Sequence, residues 1–219
     1  MPELLPSKDV FQQVFAHVTL LYKEQMSSCL FFHTFNHTLE VLEACKEIGL
    51  HTNLSPLEQE IVWIAACFHD TGYKHIYMGH EEESKRIAIQ FLTSIRYGAE
   101  KIEQVLGCID ATKIPQKPQA LIEQVLCDAD LYHLSGRDYK QKEGQLRKEW
   151  ECVFNKIYTD QEWNSGNLKF LAEHHYFTHY GKNVLETRKQ MYVEELKNYW
   201  LIWVISCKGI SLQEKNAYV

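Results

Sequence analysis

The chain has 219 residues, of which 45% are hydrophobic and 24% are charged, an ordinary composition for a globular protein. Its formal net charge is −6, and it has no Lys/Arg block of the kind that follows the phosphates of a nucleic-acid duplex. It contains no uncharged apolar run of the roughly 18–20 residues that a membrane-spanning helix needs. These features exclude a duplex-binding or membrane-spanning protein. Because no basic region followed by an apolar stretch marks the N-terminus, we also expect no secretory signal.

Apolar residues recur at helical spacing almost throughout, which predicts an all-α fold. A first helix is expected at about residues 8–26, and a second at about 30–49 that ends at Gly49. A third begins at Ser55–Glu58, which combines an N-cap serine, a proline in the first turn and a capping-box glutamate.

The third helix is apolar on nearly every face between Ile61 and Phe68, so we expect it to be buried and to deliver His69 and Asp70 from the core. Gly72 indicates that the helix ends there, before a loop that leads to a helix starting near His80. Further helices are predicted at about residues 98–111, 119–133, 138–157, 162–173 and 179–204. The tryptophans in these patterns are expected to be core residues: Trp63, Trp150, Trp163, Trp200 and Trp203.

The seven cysteines show no CxxC spacing, and most lie in apolar helical patterns, as small core residues do. They are Cys29, Cys45, Cys67, Cys108, Cys127, Cys152 and Cys207. This usage is typical of a reducing compartment and predicts a cytoplasmic location.

Four polar residues are candidate metal ligands: His37, the adjacent pair His69 and Asp70, and Asp130. Imidazole nitrogens and carboxylate oxygens suit a divalent ion such as Mn, Mg, Ni, Co, Fe or Zn, and few protein ligands leave positions for water and substrate. A bound divalent ion lowers the pKa of its water and polarises a phosphoryl oxygen. The set therefore predicts metal-dependent hydrolysis of a phosphate ester.

The order of these residues resembles that of the HD-domain superfamily of metal-dependent phosphohydrolases. The similarity rests on the motifs Phe32–His37, Phe68–Tyr73, His80–Ser84 and Asp128–Leu131, in the order H…HD…D. It is closest to small, predicted bacterial members and runs from roughly residue 10 to residue 200. The resemblance implies an HD-domain helical bundle in which helices from distant parts of the chain converge on the ion.

We expect one domain over residues 1–219, with a metal-binding core at about 30–135 and C-terminal helices at about 138–205 packed on it. The loop Lys113–Pro118 is the most plausible break between two units. This loop lies between Asp130 and the three earlier candidate ligands, however. All four must meet at one ion, so we expect no domain boundary there.

The resemblance also implies catalytic roles beside the ligands. His33 lies four residues before His37, and on one helix the two would share a face. In the related cyclic-nucleotide phosphodiesterases the first histidine of such a pair is a general acid, although a hydrogen bond at the pocket wall is the alternative for His33. Asp70 is expected to act in catalysis as well as in metal binding. Glu81 is expected to hold a water molecule on the ion.

Three further residues are candidates for contacts with the substrate phosphate: Lys74, His80 and Arg147. His80 starts a predicted helix, whose N-terminus favours anions. Alternatively, His80 is a ligand of a second metal ion. Arg147 lies in an Arg-x-Glu-aromatic segment, Arg147–Trp150, that resembles small HD phosphohydrolases, and its guanidinium suits a phosphate. A solvated loop position is the alternative for Lys74.

A second metal site at His174, His175 and His179 is disfavoured. No carboxylate partner accompanies them, and Thr178 indicates a helix N-cap between them. We expect these histidines to serve packing.

The predicted substrate is a small phosphate ester, for which a nucleotide is the best candidate. The chain has Tyr73 and Lys74 where guanosine-tetraphosphate hydrolases carry a Glu-Asp pair, and it lacks the Gly-Tyr-Pro of the cyclic-di-GMP group. Mono- and diesterase activity both remain possible, and the oligomeric state is not predicted. Two other functions stay open: a non-catalytic HD module that binds a nucleotide or a protein partner, and a di-iron oxygenase, which would require more ligands than His80 adds.

Overall fold

The computed structural model describes residues 8–24, 26–195 and 197, and within this part of the chain it contains helices and no strand. The expected all-α class is confirmed. The helices are α1 (Lys8–Lys23), α2 (Phe35–His51), α3 (Pro56–Phe68), α4 (His80–Ser94), α5 (Ala99–Ala111), α6 (Leu121–Asp130), α7 (Tyr139–Val153) and α8 (Asp160–Glu173). Short 3-10 turns lie at Thr71–Lys74 and Tyr132–Ser135, and a π turn at Gly181–Leu185 lies within a helical stretch at 179–195.

Helix α3 lies at the centre of the bundle. It packs against α1, α2, α5 and α6. Because all of its side chains from Ile61 to Phe68 are apolar, Ile61, Ile64 and Phe68 are fully buried. Its N-terminus is closed by the predicted capping box: Ser55 Oγ accepts from the Glu58 amide at 3.3 Å, and Glu58 Oε2 accepts from the Ser55 amide at 2.8 Å. The helix is therefore a rigid support for the residues at its other end.

Helix α2 begins five residues later than the sequence indicates, at Phe35. His33 therefore lies in the bend that precedes α2. The prediction that it shares a helical face with His37 is wrong. The reason is a long-range contact, because the amides of Phe31, Phe32 and His33 are hydrogen-bonded to the carboxylate of Glu149 in α7.

Asp128 fixes the segment after α8 onto α6. Its carboxylate accepts from the amides of Phe177 and Thr178 at 2.7 and 2.9 Å and from the Thr178 hydroxyl at 2.7 Å. A side chain at Gly181 would overlap the same carboxylate, so only glycine fits there. Burial raises the pKa of Asp128 to about 6, against the effect of these hydrogen bonds. Asp128 is thus a structural carboxylate, although it lies only two residues before the candidate ligand Asp130.

Most of the described core belongs to one apolar cluster, and a smaller cluster forms around Leu134, Tyr139, Leu171 and Val193. The single-domain organisation stays a prediction. Among the tryptophans, Trp163 is buried and Trp63 partly so, but Trp150 is 37% exposed and not the core residue expected. Trp200, Trp203 and the end of the last predicted helix lie outside the described residues. None of the described helices combines the length and apolar character needed to cross a membrane.

A disulfide joins Cys29 to Cys152, which are 123 residues apart in the sequence. Cys45, Cys67, Cys108 and Cys127 are free and buried, as expected of core cysteines. The cysteine usage gave no indication of this pair. The reason is position: Cys29 is half-buried in the loop before α2 and Cys152 is exposed on α7, so neither belongs to the apolar core. Cys207 lies outside the described residues, and the cytoplasmic location stays a prediction.

We predict that loss of this disulfide lowers stability, because the bond restricts the unfolded chain. Cys152→Ser, or reduction of the wild type, should lower the free energy of unfolding by about 2–4 kcal/mol. Urea titrations with and without dithiothreitol measure the effect. The Cys152→Ser variant should no longer respond to dithiothreitol, and an identical unfolding midpoint for the oxidised wild type and the variant would contradict the prediction.

Candidate metal centre

The four predicted metal ligands meet at the C-terminal end of α3. His37 Nε2 lies 3.2 Å from Asp130 Oδ1 and 3.6 Å from Asp70 Oδ2. His69 Nε2 lies 3.2 Å from Asp70 Oδ2 and 3.6 Å from Asp130 Oδ1. Residues that are 93 positions apart in the sequence are thus brought into contact. We call these four residues the ligand cluster.

Local backbone contacts orient the His-Asp pair. The His69 Nδ1 lies 2.8 Å from the carbonyl of Ala66 and donates to it, so its Nε2 is left as the electron-pair donor that faces the cluster. After Asp70 the chain turns sharply. A side chain at Gly72 would overlap the His80 carbonyl, and the Gly72 amide donates to Ser84 Oγ at 2.8 Å. Glycine therefore lets the N-terminus of α4 approach the cluster.

The buried atoms of the cluster fit a divalent cation. His37, His69 and Asp70 each offer a ligand atom within 4.8 Å of the others. His69 Nε2 and Asp70 Oδ2 are buried and make no hydrogen bond, which is costly unless another group satisfies them. A cation between imidazole nitrogens and carboxylate oxygens would do so. No second group of this kind occurs elsewhere in the described part of the chain.

The charges in the cluster stabilise one another. Burial alone would raise the pKa of Asp70, but the neighbouring His69 and His80 side chains outweigh it and hold that pKa well below its usual range. Burial alone would also raise the pKa of Asp130, but the hydrogen bond from His37 and the nearby His69 lower it. Both carboxylates are therefore ionised and offer negative charge to a cation.

Three aromatic rings form a stack beside the cluster. The Tyr73 ring lies between those of His80 and His33, with ring centroids 3.7 and 4.3 Å away. His80 Nε2 is 3.3 Å from Asp70 Oδ1, so His80 contacts the cluster directly. Glu81 is one step further out, with its Oε2 3.6 Å from His80 Nδ1. The structure thus brings His33, His80 and Glu81 to the same side of the site.

His33 is held by a carboxylate to which the sequence analysis gives no role. Its Nδ1 bonds to Oε1 of Glu149, which is fully buried. Burial alone would lower the pKa of His33, but the hydrogen bond to Glu149 and the nearby charges of Asp70, Glu149 and Asp130 raise it. The other ring nitrogen, Nε2, lies 3.4 Å from the Tyr73 hydroxyl.

His133 is a second residue that sequence reasoning missed. Its Nδ1 lies 3.2 Å from the Asp130 carbonyl, and its ring packs 4.9 Å from that of Phe32 and 6.3 Å from that of His37. Burial and the nearby His37 lower the pKa of His133 to about 3, so the ring is neutral. Its position three residues after Asp130 is the signal that could have found it, because on the predicted helix at 119–133 the two residues would share a face.

Two of the proposed phosphate contacts are engaged elsewhere. Lys74 Nζ pairs with the carboxylate of Glu24. Arg147 donates to Glu151 at 3.1 Å and to Asp160 at 2.7 Å, which ties α7 to the start of α8. Arg147 and Glu149 are two positions apart, so they point to opposite sides of α7, about 200° apart. Neither Lys74 nor Arg147 bonds to the ligand cluster within the described residues.

The three late histidines are not part of the cluster. His174 Nδ1 lies 3.3 Å from Nζ of the fully buried Lys189, which also pairs with Glu186 at 2.9 Å. His175 and His179 are exposed. A packing role therefore agrees with the contacts of His174, but the exposed His175 and His179 do not have the packing role expected of them.

Comparisons with known proteins agree with this geometry. The family model for the HD domain matches residues 34–147, just over half of the chain and a range that contains the whole ligand cluster. A crystal structure of a predicted HD superfamily hydrolase from an uncultured Thermotogales bacterium is similar in fold, with a TM-score of 0.59 at 19% identity. That match covers 92% of this chain and 96% of the other. No curated protein matched the sequence. The chain therefore belongs to the HD-domain family of metal-dependent phosphohydrolases.

Proposed function

We propose that this chain hydrolyses a phosphate ester of a nucleotide or similar small molecule with a divalent ion held by His37, His69, Asp70 and Asp130. The observation that carries the proposal is the pair of buried atoms without a hydrogen bond, His69 Nε2 and Asp70 Oδ2, inside a cluster of two histidines and two ionised carboxylates. When bound, such an ion supplies an activated water and polarises a phosphoryl oxygen.

The chain's own residues orient the substrate and move the proton. His33 is the best placed proton donor, because its ring lies 5.8 Å from that of His37 and its hydrogen bond to Glu149 raises its pKa, which favours the protonated ring. It gives the Nε2 proton to the leaving oxygen as the P–O bond breaks. The carboxylate of Asp70, which lies between His69 and His80, supplies negative charge to the site. Glu81 accepts a hydrogen bond from water at the outer edge.

His80 is the best candidate for a direct contact with the phosphate. It starts α4, where the helix N-terminus favours anions, and its side chain is close to the cluster. The same position, 3.3 Å from the second oxygen of Asp70, would also suit a ligand of a second ion. Lys74 and Arg147 are weaker candidates, because their charges are already paired.

We predict that Asp130→Ala weakens binding of Mn²⁺ by about 100-fold or more, since even outer contacts of a metal site contribute 10–100-fold. Calorimetric titration of protein stripped with a chelator measures the affinity. Asp110→Ala is the matched control, because that carboxylate pairs at the surface with Lys85 and Lys113. Equal losses in the two variants, or full affinity in Asp130→Ala, would exclude Asp130 as a ligand.

We predict that the wild type hydrolyses one or more members of a panel of nucleotide mono- and diesters, only when a divalent ion is added. Mn, Mg, Ni, Co, Fe and Zn are supplied in turn. Asp70→Ala should abolish turnover, and His33→Ala should lower kcat by about 10²–10⁴-fold with little change in KM. His75→Ala, whose side chain is 50% exposed, is the control.

Two outcomes would contradict the hydrolase. Tight metal binding without turnover across the panel would favour a non-catalytic binding module. Paired iron with consumption of oxygen would favour an oxygenase.

A further inference from the structure

The carboxylate of Glu149 accepts more hydrogen bonds than any other group beside the site. Its Oε2 accepts from the amides of Phe31, Phe32 and His33 at 2.8, 2.8 and 3.1 Å. Its Oε1 accepts from the Tyr77 hydroxyl at 2.9 Å and from His33 Nδ1. All of these donors lie at least 72 residues away in the sequence. Glu149 is fully buried, so no water competes for it.

The two oxygens of Glu149 do different work. Oε2 satisfies three consecutive amides that precede α2, which is a structural role. Oε1 is not needed for those amides and is directed at a side chain of the site. Because an ionised carboxylate only accepts, the His33 nitrogen that faces it must carry a hydrogen. The orientation of the ring and the nitrogen that faces the pocket are therefore both fixed.

A covalent bond holds the same two segments together. Cys29 lies four residues before His33, and Cys152 lies three residues after Glu149, about one turn along α7. The segment that carries His33 is thus attached to α7 twice, by the disulfide and by the carboxylate. Its position relative to α7 is fixed independently of α2.

We infer that Glu149 is a positioning residue for His33: it holds the ring with Nδ1–H toward α7 and Nε2 toward the ligand cluster. This inference rests on the proposed function, in which His33 is the proton donor. The leaving oxygen takes the electron pair of the broken P–O bond and the Nε2 proton. Water supplies the new hydroxyl on phosphorus and releases one proton to solvent, and the neutral ring regains a proton from solvent. The hydrogen on Nδ1 stays on the ring throughout and remains hydrogen-bonded to Glu149.

The test uses Glu149→Gln, which keeps the shape of the side chain and removes its charge. A glutamine side chain has only one accepting oxygen. It cannot accept both from the three backbone amides and from His33, because its NH₂ group would face one of the two. Glu103→Gln, an exposed carboxylate on α5, is the matched control. Steady-state kinetics compare two phosphate esters, one with a 4-nitrophenyl leaving group and one with an alkyl leaving group. The ¹⁵N shifts of the His33 ring are measured in parallel.

For Glu149→Gln, kcat on the alkyl ester should fall about 10–100-fold, since displaced partners of site residues have effects of this size. The 4-nitrophenyl ester, whose leaving group does not need a proton, should lose less than about threefold, and KM should be unchanged for both. Glu149→Asp should recover part of the loss. Combined with His33→Ala, the substitution should add no further loss, because both act through one proton.

Equal losses on the two esters would overturn the inference, because that is the result of a merely structural role. Unchanged His33 ring shifts in Glu149→Gln would also overturn it. If Glu149→Gln does not fold, the same kinetics and shifts in Glu149→Asp decide. If the wild type hydrolyses neither these esters nor any nucleotide of the panel, the proposed function fails, and the ring shifts alone then decide whether Glu149 orients His33.

Discussion

The structure depends on the burial of charge at one end of α3. Asp70 and His69 are almost inaccessible to solvent, and a buried carboxylate is costly unless charges or hydrogen bonds compensate it. The compensating side chains are His37 in α2, His80 at the start of α4 and Asp130 at the end of α6. These elements must therefore meet at this point, and the apolar faces of α3 allow them to pack there.

The cluster leaves one need that protein groups do not meet, because two of its buried atoms make no hydrogen bond. A cation would satisfy both atoms and would also balance the two carboxylates. An ion that bound only the folded chain would also stabilise it, so occupancy of this site would couple stability to function.

Local signals predicted the parts of the fold that local chemistry decides. The capping box at Ser55 and the apolar run of α3 set that helix. The residue types and the family resemblance in their order, H…HD…D, indicated His37, His69, Asp70 and Asp130, which the structure brings together. Long-range contacts decided the rest. The start of α2 depends on Glu149, and the pairing of Cys29 depends on α7. Arg147 is engaged by Glu151 within α7 and by Asp160 at the start of α8. A sequence pattern holds no signal for such partners.

The disulfide has a topological consequence for the cluster. Cys29 and Cys152 close a covalent ring, and every member of the ligand cluster lies within it. Because the ring persists when the chain unfolds, the ligands stay confined in a smaller volume than in an open chain, and the entropy lost on gathering them again is reduced. A single proteolytic cut in the ring, for example in the loop between α5 and α6, would leave both fragments covalently attached. The residues of the ligand cluster would then stay in one covalently connected molecule even after the backbone is cut.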